Sequence, residues 1–555
     1  EMLRSLVGSE MCIRDRCYIY TFMARLRDYI GLLIFSILCV SALFMQSHSF
    51  TDSYIVPKWL ITLFVFGGFV LYCTIAIWFT NSIKVNMFLV GIVLIAICFL
   101  QAVLGLLQYF TVCYSPSIYK ITGSFDNPAG FSACLCIGLP FIAFLLLKDN
   151  KRYIHLIGWI MGIIIIVAII LSYSRAGIIS LATISTIFLY QRLDHKRMLR
   201  FFLLAGLVAL ILGCYWMKKD SADGRLLIWQ SCINMVKDSP WMGHGLGSFE
   251  AHYMDYQAEY FRIYGQQNRY AMLADNVKHP FNEYMGILLN FGIIGLLILC
   301  AFIFLLIYCY KLNSTIEKKI ALYTLISIGI FSLFSYPFTY PFTWIITFLS
   351  VLIIIREPIE VFFTVSWRKN IACAFAIVCS MIGIYKLVER TQAELEWGRI
   401  SKLTFSDSYN EALPVYEELE KVLVDDPYFL YNYAAVLLEK KQYNKSLEIA
   451  LQCRKYWADY DLELLIGESY QQLNNFDMAE KYYNSASMMC PSRFLPLYKL
   501  FYLYKSNNKI EKVLDVADLI INKPMKIKTS SILMMKKNVK NAIVHIKRGE
   551  YTVDP

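Results

Sequence analysis

Charge is what this sequence has least of. Of its 555 residues only 17% are Asp, Glu, Lys or Arg, whereas 57% are hydrophobic and 15% aromatic. That balance excludes an ordinary soluble protein of this length and indicates a polytopic membrane protein. The spacing of a zinc site is also absent. Cys134-x-Cys136 has no second pair, and ten of the sixteen cysteines lie in or beside apolar runs, where they act as small hydrophobes. No metal ion and no cofactor are expected. The cluster Gly243-His-Gly-Leu-Gly247 lacks the preceding strand and the Lys-Ser/Thr of a phosphate loop, so it reads as a tight turn. A net charge of +11 does not indicate nucleic acid here, because many cations sit in short loops beside apolar runs and set topology. The runs themselves are nearly free of charge, which argues against the rival reading of a transporter or flippase with a docking module.

What is present is a series of about eleven apolar runs long enough to cross a bilayer, at 29–47, 57–79, 85–109, 129–147, 153–172, 175–191, 201–217, 281–309, 319–335, 338–355 and 370–388. With a cytoplasmic N-terminus, sixteen Lys and Arg fall in inner loops and only Lys58, Lys120 and Arg175 in short outer ones. This asymmetry orients the chain. The odd number of spans puts the turn at Arg175, the polar insert 218–280 and everything after 390 on the outer side. Ser335-Tyr-Pro-Phe-Thr-Tyr-Pro-Phe342 marks either a tight outer turn or one broken, re-entrant helix. Residues 1–22 are set aside as a probable non-native leader, since Ser5 to Arg16 resembles an adaptor-derived stretch, and the membrane region is taken as 23–390.

From 395 to 527 charged and aromatic residues alternate with a helical period. Leu430, Ala434, Leu437, Ser446, Ala450 and Cys453 recur 33 residues later as Glu463, Gly467, Tyr470, Ala479, Tyr483 and Ala486, with Pro491 closing the unit. The small-aromatic-small pattern resembles the tetratricopeptide repeat, so an α-solenoid of three to four repeats is expected. Weaker units precede it (Ala412, Tyr416, Leu419) and follow it (Phe501, Tyr504, Val513, Ala517). Residues 528–555 form a basic tail. From Asn522 to Arg548 there are eight Lys or Arg and no acid, the mark of a solvated capping helix or of a surface for anionic lipid.

Three polar marks punctuate the apolar chain. Ser174-Arg-Ala-Gly177 stands between two spans, where an arginine either snorkels into head groups or offers its planar fork to phosphate oxygens. Arg225 opens a helical stretch whose Leu226, Trp229, Ile233 and Val236 share one apolar face, ended by Asp238-Ser-Pro240. Lys278-His-Pro-Phe-Asn-Glu-Tyr284 begins the next span. Its His279 is either a hydrogen-bonded bystander or a general base, since its unperturbed pKa lies near physiological pH.

In this order the marks resemble the O-antigen ligase and polymerase (Wzy_C-type) family. The pieces are Ser-Arg-Ala-Gly, Gly224-Arg-x-x-x-Trp229, Pro240-Trp-x-Gly-x-Gly-x-Gly247, Asn282-Glu-Tyr284 and Phe291-Gly-Ile-Ile-Gly-Leu296, with Thr122 to Gly130 upstream. The resemblance covers roughly residues 60 to 360. It implies an all-α, polytopic, GT-C-like glycosyltransferase of the bacterial inner membrane, metal-independent and inverting, with its outer face in the periplasm. The implied donor is a glycan on undecaprenyl diphosphate. The acceptor is lipid A-core in a ligase, another glycan in a polymerase, or a protein in an oligosaccharyltransferase. Membrane lipids surround it, and the repeats offer a surface for a protein partner. By the same resemblance Arg175 and Arg225 bind the diphosphate, and Asn127, Trp229, Asn282 and Tyr284 support them. The family's histidine falls on Phe281 here, so either His279 or Glu283 takes the acceptor's proton, or activation is weak and the diphosphate leaving group carries most of the reaction.

Overall fold

The computed structural model describes residues 27–80, 86–115, 117–148, 151–193, 196–266, 268–363, 365–404 and 408–547. The proposed leader lies outside them. No strand forms among the described residues. The chain divides into two compact units, one of residues up to Ile211 with Phe302–Leu395, the other of Leu212–Ala301 with Glu396 onward.

The first unit is a helical bundle. Its helices are α1 (Arg27–Phe44), α2 (Val56–Thr80), α3 (Met87–Tyr109), α4 (Pro128–Lys148), α5 (Arg152–Leu171), α6 (Arg175–Arg192) and most of α7 (Arg197–Met217). The end of α10 (Glu283–Leu312), α11 (Ile316–Ser332), α12 (Pro341–Ile354), α13 (Arg356–Phe363) and most of α14 (Ser366–Thr404) complete it. Among the described residues eight helices are long and apolar enough to cross a membrane: α1 to α5, α7, α10 and α14. The remaining three predicted positions also carry helices, α6, α11 and α12, which are shorter or more polar. Helix α4 is the centre of the bundle, 78% buried over its apolar window. Close approach there depends on small residues, as at Gly177 of α6, where a Cβ would meet Ser132 at 2.7 Å. Of the hydroxyls that make α6 polar, those of Ser180 and Thr186 are buried, and Ser185 is exposed. Ser180 Oγ lies 2.9 Å from Ser327 Oγ of α11, and Thr183 donates to the Ile179 carbonyl at 2.8 Å.

Two sequence features take definite shape here. The proline-rich stretch after α11 is a tight turn, the 3-10 helix Pro337–Thr339, between two separate helices. Lys58 corrects its assignment as a loop cation: it is 1% exposed in α2 and donates to the Ser124 carbonyl at 2.6 Å. The loop before α4 needs that donor because it folds inward, as its Gln108 and Gln101 contacts show.

The second unit joins the insert to the C-terminal helices. The insert contributes α8 (Lys219–Asp238), α9 (Ser248–Tyr264) and the start of α10. The C-terminal part is α15 (Tyr409–Leu419), α16 (Pro427–Glu439), α17 (Tyr443–Arg454), α18 (Tyr460–Gln472), α19 (Phe476–Met489), α20 (Leu495–Ser506), α21 (Ile510–Asn522) and α22 (Ser530–Lys547). Its helices pack in succession, and the periodic small and aromatic residues are buried between them. Gly467 shows why one of them must be small, since a Cβ there would stand 2.6 Å from the Tyr483 ring.

A single core runs through both parts. Cys232, Met235, Phe249 and Tyr253 of the insert share it with Ala479, Tyr483, Met489 and Phe494. Polar contacts fix the register. Gln257 Nε2 donates to the Met489 carbonyl at 2.6 Å, the Ala458 N–H to the Glu250 carbonyl at 2.8 Å, and Arg454 joins Asp255 and Glu463 at 2.6 Å each.

Asp459 caps α18 at this seam, accepting from the Asp461 N–H at 2.7 Å, and burial pushes its carboxyl up to about 6. The folded state therefore holds this proton more tightly than the unfolded one, whose pKa is about 3.9. The stability it contributes is full below pH ~4 and is lost as pH rises through about 6. Asp459→Asn keeps the cap without the charge. It is expected to raise the Tm by several degrees at pH 8 and to leave it unchanged at pH 4, as read by thermal unfolding of the detergent-solubilised protein.

Candidate functional site

Arg225 and Trp229 lie four residues apart on α8, hence on one face of the helix. That face grips the segment leading into α10. Trp229 Nε1 donates to the Pro280 carbonyl at 2.9 Å, and the Arg225 guanidinium carbon stands 5.0 Å from the centre of the Phe281 ring. The second contact is a cation–π interaction, to which arginine's flat cation is suited.

Phe281 has a left-handed backbone, φ +53°. The other described non-glycine residues with positive φ are Thr111, Tyr173, Lys441, Asn474 and Asn508. Each of those directly follows the C-cap of a helix, where this conformation closes the last turn. Phe281 instead precedes a helix. A bulky residue held this way costs on the order of 1–3 kcal/mol and persists only where its surroundings impose it. Here the Trp229 bond and the Arg225 contact do so.

The neighbours of Phe281 have identifiable places. Asn282 caps α10, its Oδ1 accepting from the Met285 N–H at 3.1 Å. Glu283 is the first residue of the same helix, where a carboxylate meets the positive end of the dipole. His279 and Tyr284 are half-buried, and Lys278 is exposed with its ammonium 4.3 Å from the Tyr428 ring centre.

A cavity of about 320 Å³ opens beside Arg225. Its walls come from α8, from Gln257 of α9, from residues 273–281 and from Lys526 in the segment between α21 and α22. Leu227, Ile228 and Val277 make much of the wall apolar, and Asp220 and Asp275 add carboxylates.

The glycine cluster has a task the sequence did not reveal. Helix α10 is broken at Gly292, whose φ of 61° and ψ of −160° are not helical. The turn after α8 docks into that break. The N–H groups of His244 and Gly245 donate to the Leu289 and Asn290 carbonyls at 2.8 and 3.0 Å. In return the Ile293 and Ile294 N–H groups donate to the Pro240 and Trp241 carbonyls at 2.8 and 3.3 Å. Backbone groups freed by the break are thus satisfied, as an apolar setting demands. The turn is therefore a plug for a broken helix, and more than a means of reversing the chain.

The buried face of α8 also corrects the predicted one. Leu227, Ile228, Cys232 and Met235 are buried, whereas Leu226 and Ile233 of the predicted strip are exposed. The helix packs on α9 and the shared core, which selects a strip one residue round.

Two further predicted residues belong to the transmembrane unit. Arg175 is the first residue of α6, half-buried, and Ser174 before it caps the helix through the Gly177 N–H at 3.3 Å. Asn127 caps α4 through the Ala129 and Gly130 N–H groups at 2.9 Å, and donates to the Tyr336 and Tyr340 hydroxyls at 3.1 and 2.8 Å. Tyr340 also donates to Asp126 at 2.7 Å. The geometry of Asn127 is that of a residue that builds the loop.

Residues 160–300 match a family model described as O-antigen ligase. The match takes in Arg175, the whole of α8, the glycine turn, Phe281 and the break at Gly292. Over those residues the chain is similar to O-antigen ligases. No curated protein matches the chain.

Proposed function

We propose that the chain transfers a glycan from a polyprenyl diphosphate to an acceptor hydroxyl at the outer face of the membrane. The observation that carries this reading is the Arg225–Phe281 contact beside a cavity, inside the stretch similar to O-antigen ligases. The acceptor oxygen attacks the anomeric carbon, the bond from that carbon to the diphosphate breaks, and the lipid diphosphate leaves with the electron pair. Charge grows on the leaving oxygens, and a preorganised guanidinium stabilises it. Arg225 has that role, and Arg175 is proposed for the same ligand. His279 takes the proton of the acceptor hydroxyl, with Glu283 as the alternative, because Phe281 cannot. Inversion at the anomeric carbon follows from a single displacement.

The Lys and Arg asymmetry of the short loops supports an outer face, and the fold sets the insert and the C-terminal helices on one side. The insert and the C-terminal helices form one unit, so an even number of crossings separates them. Helices α10 and α14, with or without the pair α11 and α12, meet that condition. A crossing by α6 sets Arg175 on the side of the insert. Its 18 residues reach about 27 Å, close to the hydrocarbon thickness.

Cells lacking the gene are expected to lose surface glycan and accumulate the lipid-linked intermediate. Single-unit chains would mark a polymerase, and long unattached chains a ligase. Normal levels of both species would refute transfer. In the complemented strain a reporter fused after Pro555 should work outside the cytoplasm only, and cytoplasmic activity would overturn the outer placement.

A further inference from the structure

We infer that Lys526, supplied by the C-terminal helices, is the second cation of the Arg225 cavity and binds the donor diphosphate with it. This rests on the diphosphate reading of Arg225 above. Lys526 lines the same cavity as Arg225, although it lies in the segment joining α21 to α22. Its ammonium is 3.7 Å from Asp275 Oδ2, an ionic contact outside hydrogen-bonding distance. Asp275 is already engaged by Arg493 at 2.7 Å. The carboxylate therefore steers the lysine without occupying its donors, and three N–H groups are available to a ligand.

The charge of the ligand calls for such a partner. A diphosphate ester carries two negative charges in the cavity, and one guanidinium balances one of them. A fork and a point charge on different walls are the pair suited to two phosphoryl groups. Asp220 on the first turn of α8 also lines the cavity. It fits a diphosphate that bears a sugar, since a carboxylate accepts from sugar hydroxyls. On this reading the C-terminal helices complete the donor site, whatever else they bind.

The test uses the full chain in detergent, titrated with inorganic pyrophosphate and separately with farnesyl diphosphate, with orthophosphate as reference. Lys526→Ala and Lys526→Gln are expected to weaken both diphosphates by about tenfold or more, and Lys526→Arg to stay within a few-fold of the parent. An unchanged Tm in each variant keeps the comparison one of binding. Binding of Lys526→Gln at the parent level overturns the inference. If Arg225→Ala weakens binding while the lysine variants do not, Lys526 is excluded and the arginine reading stands. If neither residue matters, both fall. Weakening of farnesyl diphosphate alone would assign Lys526 to the lipid-linked form, and weakening of pyrophosphate alone would refute its role with the donor.

Discussion

Arg225→Ala is expected to lower the rate of glycan transfer by roughly 10²–10³-fold, the usual effect of removing one donor aimed at developing charge. The loss should fall on turnover more than on the amount of folded protein. Arg225 is half-buried on the surface of α8, and the buried face of that helix lies on Leu227, Ile228, Cys232 and Met235. Arg225→Lys separates charge from shape. Lysine keeps the positive charge but loses the planar fork and most of the stacking on Phe281, so an intermediate loss of about tenfold is expected. The assay is transfer in membrane vesicles at matched protein level. Full activity of Arg225→Ala would remove this residue from the diphosphate site and leave its contact with Phe281 as a purely structural brace.

Gly292→Ala is expected to abolish accumulation of folded protein or to destabilise it by about 4 kcal/mol or more. Two separate terms contribute. The backbone at Gly292 lies in a region that essentially only glycine enters. A Cβ there would also stand 2.3 Å from the Trp241 carbonyl oxygen, and backbone cannot move aside as a side-chain tip can. Gly243→Ala attacks the same junction from the other side, with its Cβ 2.5 Å from the Asn290 carbonyl carbon and φ at 69°. Since either change undocks the turn, the double variant should lose much less than the sum of the two. Gly206→Ala in α7 is the control, because nothing lies within 4 Å of its added Cβ. Yield and Tm after extraction measure all four, and a Gly292→Ala protein with parental Tm would show that the docked turn is dispensable.

The periodic features were legible in the sequence, and the features that depend on a distant partner were not. A helix stands at each of the eleven apolar runs, and the recurring Ala434, Ala450, Ala479 and Ala486 are buried at helix contacts as their spacing implied. Local patterns suffice there because length and hydrophobicity decide the outcome. Helix α8 shows where a local pattern fails. Its apolar residues fit two overlapping strips at a period of 3.6, and only the packing partner selects one. Lys58 looked like a loop charge because nothing nearby in sequence announces the Ser124 carbonyl that holds it. The glycine cluster read only as a tight turn for the same reason, its partner being a helix broken at Gly292. That Arg225 and Trp229 share one face of a helix was readable from their spacing. The left-handed Phe281 and the contribution of Lys526 were not, since both depend on tertiary packing.

The shared core of the second unit has a consequence for how the molecule is made. Phe249 and Tyr253 are synthesised well before Ala479 and Tyr483, which cover them. Residues 302–395, threaded into the other unit, come between the two parts. At a synthesis rate of about 5–20 residues per second, the insert waits ten seconds or more with its apolar surface uncovered. Its maturation is therefore post-translational in effect, and the second unit is completed only when the ribosome has reached the last helices.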